Sequence, residues 1–250
     1  MNRFTHEDRQ QVRSRIISIA RSDERTTGCA DIGSVAENIH DRYSDIDITF
    51  GIKDGISVKQ VLDDWTQILD CDFSVAHFFD VLRGEWIYRV ILFSNALEMD
   101  LSVSPASQFG ALGPNFKLNF GMAIERTEFP GPNITDMIGW GWHHILHTNS
   151  AIARGRLWHA AFWLNGLRDH VIALRCIRFG LPHAQSRGAD RLPSEELMTL
   201  GDTLVRKIDP TELRNTLYAT TREFIREIRH YNADIAERID HAIKIAFESE

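Results

Sequence analysis

The chain has 250 residues, enough for one large domain or two small ones, and at 43% hydrophobic and 25% charged it has the balance of a globular protein with a proper core. Its net charge of −7 belongs to the first half: residues 1–130 hold 13 Lys+Arg against 20 Asp+Glu, and residues 131–250 hold 15 of each. That excess disfavours nucleic acid as a partner, since a general nucleic-acid binder needs a basic face for phosphates, and it suits a cationic small substrate.

In chain order, Thr5 to Ala20 reads as a helix with Thr5 at its N-cap. The run Asp45-Ile46-Asp47-Ile48-Thr49-Phe50 alternates with period two and reads as a strand. Ser57 to Leu69 reads as a helix, where Ser57 and Gln60 fit a capping box. Phe73 to Val81, Trp86 to Phe93 and Leu97 to Val103 read as strands, the last two joined by a turn at Ser94-Asn95. Asn115 to Asn133 reads as a connector, broken by Pro130-Gly131-Pro132. Beyond it the period is helical. Thr135 caps a helix towards Ala153, and Gly155 to Phe179 carries Leu157, Ala161, Leu164, Leu167, Val171 and Leu174 on one face. Ser194 caps a short helix, and Asp209-Pro210-Thr211-Glu212 opens the last one. The fold class expected is α+β: a mixed-sheet domain over 1–130, then a helical bundle over 131–250.

The chemistry concentrates in the segment from Gly33-Ser34 to Ser44-Asp45-Ile46-Asp47. On a strand, Asp45 and Asp47 point to one face and Ile46 and Ile48 to the other. Two carboxylates side by side repel unless a cation lies between them, and the usual partner is a hard divalent ion bound through oxygen. A third acid fits the same logic: in Leu97-Glu98-Met99-Asp100-Leu101-Ser102-Val103, Asp100 shares a face with Glu98 and Ser102.

The pattern Gly-Ser-x(10)-Asp-x-Asp, with a later strand carboxylate, resembles the signature of the nucleotidyltransferase superfamily that includes DNA polymerase beta. Within it the Ser-Asp-Ile-Asp form resembles the small antibiotic nucleotidyltransferases acting on aminoglycosides and lincosamides. The sequence departs from that pattern at Asp31, where a small or apolar residue is common, and at Asn38, where glycine is. The resemblance implies a Mg²⁺-dependent enzyme, with two ions, that moves AMP from ATP, or another NMP from its triphosphate, onto a hydroxyl of a small molecule. It implies Asp45, Asp47 and Asp100 as metal-binding catalytic residues, Asp100 serving either as third ligand or as general base. Gly33 lets the backbone approach the phosphates and Ser34 donates its hydroxyl to one of them. From Ala151 to Ser194, seven arginines stand against Asp169 and Asp190, and Arg168 among them could reach the triphosphate or form an internal salt bridge. A homodimer fits this group, though the sequence leaves the oligomeric state open. Two alternatives stand: an antitoxin-type nucleotidyltransferase modifying protein or RNA, and a nucleotide-binding scaffold without catalysis.

The remaining features read blandly. The start is polar with no leader-like pattern, and no apolar run is long enough to span a bilayer. Cys29, Cys71 and Cys176 are widely spaced, give no zinc pattern and suit a reducing cytoplasm as buried free thiols. His143, His144 and His147 lie on one helix, the first and last one turn apart, but no Glu stands between them as in a metalloprotease motif, so a structural or solvated role is expected. Trp140, Trp142, Trp158 and Trp163 are expected mostly in the core. Arg178-x(4)-His183 straddles a helix end and reads as chance.

Overall fold

The alternation of the first half and the helical period of the second are both realised in a computed structural model that describes residues 3–32, 44–111, 113, 115–125 and 131–248. The chain divides into two compact units, Met1–Pro130 and Gly131–Glu250. Among the described residues no helix is long and apolar enough to cross a membrane.

The first unit holds α1 (His6–Ser22), β1 (Thr26–Ile32), β2 (Ile46–Ile52), α2 (Val58–Phe73), β3 (Val75–Arg83), β4 (Trp86–Phe93), β5 (Glu98–Pro105) and β6 (Phe116–Gly121). The six strands form one sheet in the order β3-β4-β5-β2-β1-β6. It is mixed: β2 and β5 run parallel, and the other neighbouring pairs run antiparallel. The parallel pair is what α2 makes possible, because a parallel partner requires a crossover.

One face of this sheet is the core. Ile46, Ile48, Phe50 and Ile52 of β2 and Met99, Leu101 and Val103 of β5 pack with Val12 and Ile16 of α1 and with Val61, Leu62, Trp65 and Leu69 of α2. Each such side chain, fully buried, contributes roughly 1.5–3 kcal/mol relative to exposure. Helix α1 starts at a complete capping box, with the Thr5 hydroxyl accepting from the Asp8 amide and the Asp8 carboxylate accepting from the Thr5 amide. Arg89 of β4 also lies on the helix side, fully buried, and is neutralised by Asp63 and Asp80. The opposite face stays free for chemistry: Asp47, Asp100, Thr49 and Ser102 occupy the alternate positions.

Three sequence expectations shift here. The expected connector contains β6, whose Phe116, Leu118 and Phe120 alternate with Lys117 and Asn119. An edge strand needs only one partner, so its pattern is short and weak: Leu118 is exposed beside Lys117, and Asn119 turns in to the Cys29 thiol. Helix α2 continues to Phe73, which delays β3 to Val75; Ser74 caps it at φ 60°, and its amide donates to the Asp70 carbonyl. Cys71 lies on the exposed side of α2, whereas Cys29 and Cys176 are buried.

The second unit is helical: α3 (Ile134–Ala153), α4 (Leu157–Arg178), α5 (Ser194–Gly201), α6 (Pro210–Tyr231) and α7 (Ala233–Glu248). Leu164, Leu167, Val171 and Leu174 of α4 meet Ile145 of α3 and Leu217, Phe224 and Ile228 of α6 in its core. Gly141 is required there, since a Cβ on it would sit 2.1 Å from the Phe224 ring. Asp209 caps α6 as expected, accepting from the amides of Thr211 and Glu212. Asn133 rather than Thr135 caps α3, and Pro193 rather than Ser194 precedes α5. The expected last helix is two, divided at Asn232, which lies in extended backbone at φ −158°. Trp140, Trp142 and Trp158 are exposed rather than buried, because the inner face of this helix pair is already filled by aliphatic side chains.

Candidate active site

The acidic face of the sheet is built by register. Asp47 of β2 stands directly opposite Asp100 of β5 in the parallel ladder, and Thr49 stands opposite Ser102 one step further. Asp45 precedes β2 by one residue and is held from the other side: the buried Arg9 of α1 donates to the carbonyl oxygen of Ser44 at 2.9 Å. Three carboxylate oxygens, one each from Asp45, Asp47 and Asp100, lie within 4.8 Å of one another. Among the described residues these three form a group that could hold a metal ion.

The electrostatics of Asp100 describe an incomplete site. Its Oδ1 is buried and has no hydrogen-bond partner. Burial first, then the nearby carboxylates of Glu98 and Asp45, push its pKa up to about 6. A buried acceptor without a donor costs about 1–3 kcal/mol. A hard divalent cation among the three oxygens removes that cost, so the donor set fits such an ion: carboxylate oxygens only, on two adjacent strands.

The other expected site residues fall differently. Gly33 and Ser34 lie outside the described residues, as does Asn38. Arg168 lies on α4 of the helical unit, mostly buried, with its guanidinium 3.9 Å from the Asp169 carboxylate. Asp31 faces the helix side, opposite Ile48, and makes a two-pronged ion pair with Arg13 of α1, with contacts of 3.1 and 2.5 Å. That pair explains how a carboxylate occupies a position where a small or apolar residue is common.

Sequence reasoning missed Arg9, Trp86 and Tyr88. Arg9 gives no signal beyond a charge on the apolar side of a helix. Trp86 and Tyr88 were legible as an alternating pair, but only the register of Tyr88 opposite Ser102 places them on the acidic face.

The histidines form a separate cluster. His143 and His147 rings lie 4.2 Å apart, and His144 lies 5.1 Å from both His170 and Trp163. Burial, then His170, lowers the His144 pKa to about 4, so its imidazole is neutral at ordinary pH.

The fold is thus of the α+β class, with a mixed sheet that presents three clustered carboxylates. The sequence matches no protein-family model and no curated protein. Among solved structures the chain is similar to the crystal structure of an aminoglycoside 6-adenyltransferase from Bacillus subtilis, at 14% identity and a TM-score of 0.42, over 98% of this chain and 99% of that one. A likeness at that level assigns neither a substrate nor an activity.

Proposed function

We propose that this chain is a nucleotidyltransferase dependent on divalent metal, with Mg²⁺ as the ion. It moves a nucleoside monophosphate, AMP from ATP in the leading case, onto a hydroxyl of a small molecule of the aminoglycoside or lincosamide type. The observation that carries the reading is the Asp100 Oδ1: a buried, unpartnered carboxylate oxygen directly across the ladder from Asp47, with Asp45 beside both. The motif Gly33-Ser34 followed by Asp45-x-Asp47 supports it from the sequence side.

In this reading Asp45, Asp47 and Asp100 would hold two divalent ions, whose chemistry would be to offset negative charge on the transferring phosphoryl group and the leaving pyrophosphate. The acceptor oxygen bonds to the α-phosphorus, the bond from that phosphorus to the oxygen bridging the β-phosphate breaks, and pyrophosphate departs with the electron pair. The ions would make the attacking hydroxyl more acidic, and its proton would leave to Asp100, where that carboxylate serves as base, or to water, where it serves only as ligand. An ordinary aspartate is a weak base at neutral pH; the burial of Asp100 raises its basicity in the ion-free protein, and bound cations lower it again. From the motif, Gly33 and Ser34 would cradle the phosphates. The acceptor is bound by the acidic first half of the chain, which concentrates cationic molecules.

Mass spectrometry tests the reading. The protein is incubated with Mg²⁺, each nucleoside triphosphate and a panel of aminoglycosides and lincosamides, with Asp47→Asn as the blank. A product heavier by one nucleotidyl group, absent from the variant, is expected. Equal product from the variant refutes the metal assignment, and labelled nucleotide in protein or RNA alone refutes the small-molecule acceptor.

A further inference from the structure

The acidic face continues into a recess. One step along the same strands from Asp47 and Asp100, Thr49 and Ser102 line a cavity of about 120 Å³ with Ile32, Trp86, Tyr88 and Phe116. The register explains its place. Tyr88 pairs with Ser102 across β4 and β5, and alternation puts Trp86, Tyr88, Thr49 and Ser102 on the face that carries the triad. Two residues along a strand is about 6.6 Å, so an occupant of the recess reaches the carboxylates without leaving the sheet. Further along the same face, Phe109 is fully buried over Gly28 and Gly51, where a Cβ would lie 2.5 and 2.7 Å from its ring.

Its lining defines what fits. No described residue lining the recess carries a charge. Trp86 and Tyr88 form an aromatic wall, their rings 6.0 Å apart and 18° from parallel. Two buried hydroxyls meet on the strand floor, where Thr49 Oγ1 donates to Ser102 Oγ at a long 3.4 Å, which leaves both with acceptor lone pairs and Ser102 with its proton to give. The volume is about that of four liquid waters and well below the ~300 Å³ of a pocket for a drug-sized ligand. The recess takes the face or edge of one ring, whose remainder stays in its open mouth, and a whole antibiotic does not fit. A ring carrying an ammonium group would lose its hydration here with no charged group in the lining, the nearest carboxylates being a strand step away and taken up by the ions in the proposed reading, at a cost of several kcal/mol.

We infer that this recess is the subsite for the ring that bears the reacting hydroxyl, and that it selects a neutral, hydroxyl-rich six-membered ring, a sugar or a cyclitol. The inference rests on the proposed transferase reading, since it takes Asp100 as the group facing the acceptor. The apolar face of the ring lies on the aromatic wall and its hydroxyls exchange hydrogen bonds with Thr49 and Ser102. Amino groups elsewhere on the acceptor stay outside, on the acidic face.

The test uses the full chain, Mn²⁺ with ATP, and methyl α-D-glucopyranoside as the probe, followed by the probe's own NMR signals. A fragment of this size binds with a Kd of about 1 mM. Expected is broadening of the ring protons that requires bound Mn²⁺, as the ion lies about 10 Å or less away by strand spacing. Thr49→Val and Ser102→Ala each weaken the glucoside about three- to tenfold, the worth of one hydrogen bond. Gly113→Leu, placed in the recess wall where a Cβ meets nothing within 4 Å, removes binding without disturbing the strands. Mn²⁺–ATP affinity stays unchanged in all three. Glucoside binding that none of the variants alters overturns the inference, as does failure of the glucoside to bind a protein that does bind Mn²⁺–ATP. Variants that weaken ATP instead overturn it too, and make the recess a base pocket. A wild type that binds no Mn²⁺–ATP overturns the transferase reading itself.

Discussion

Replacing Asp100 by asparagine is expected to make the ion-free protein more stable while removing its activity. The carboxyl pKa rises from the ordinary 3.8 to about 6, so the ionised form is disfavoured in the fold by at most ~3 kcal/mol. Asp100 is only half-buried, and solvent screening reduces the expected figure to about 1–2 kcal/mol. The sign follows from linkage: the folded state keeps this proton where the unfolded chain has lost it, so stability falls as pH rises from about 4 through about 6 and is level above. The asparagine side chain has no proton to lose. The variant's advantage is therefore near zero at pH 4 and reaches about 1–2 kcal/mol at pH 7, or roughly 2–8 °C in Tm for a chain of this size. Urea and thermal denaturation in EDTA between pH 4.5 and 7 measure it. Mg²⁺ at millimolar concentration then stabilises the wild type more than the variant, since it binds the folded triad. A variant no more stable than the wild type at pH 7, or a difference that does not change with pH, refutes the account of Asp100 as a carboxylate awaiting a cation.

Arg175→Met in the helical unit leaves the buried Glu223 and Glu227, now 2.9 and 2.8 Å from the guanidinium, without their counter-charge. It is expected to cost about 3–5 kcal/mol in denaturant titration, and a loss below about 1 kcal/mol contradicts the pairing. Gly51→Ala puts a Cβ 2.7 Å from Phe109 and is expected to cost about 1–3 kcal/mol, with Phe109→Leu restoring part of it in the double variant. Thr5→Ala removes the capping box of α1, for a loss of about 1 kcal/mol. A maleimide should label Cys71 alone in the native protein, because Cys29 is buried with its thiol pushed up to about 12 and Cys176 is buried as well; three labels before unfolding contradict the packing.

What the sequence revealed follows from period and spacing. Asp45-x-Asp47 and Asp100 could be placed on one face because strand alternation is local, and Trp86 to Phe93 matches β4 for the same reason. The parallel pairing of β2 with β5 is non-local, and nothing in either run states it. That register is what puts Asp47 opposite Asp100 and Thr49 opposite Ser102, so the triad was legible as residue types and its floor was not. Arg9 was invisible because its bond to the Ser44 carbonyl is a backbone contact that no side-chain pattern records. The Arg175 network escaped similarly: Arg175 lies in an apolar helix and its three carboxylates come from α5 and α6. β6 was passed over because proline and glycine nearby outweighed a short alternating run.

The most direct measurement is Mn²⁺ titration followed by electron paramagnetic resonance, with and without ATP, on the wild type and Asp47→Asn. The account predicts two Mn²⁺ per wild-type chain in the presence of ATP, and at least a tenfold weaker or absent second ion in a variant whose thermal unfolding is intact. Equal binding by both proteins would contradict it, because the three carboxylates would then not be what holds the ions.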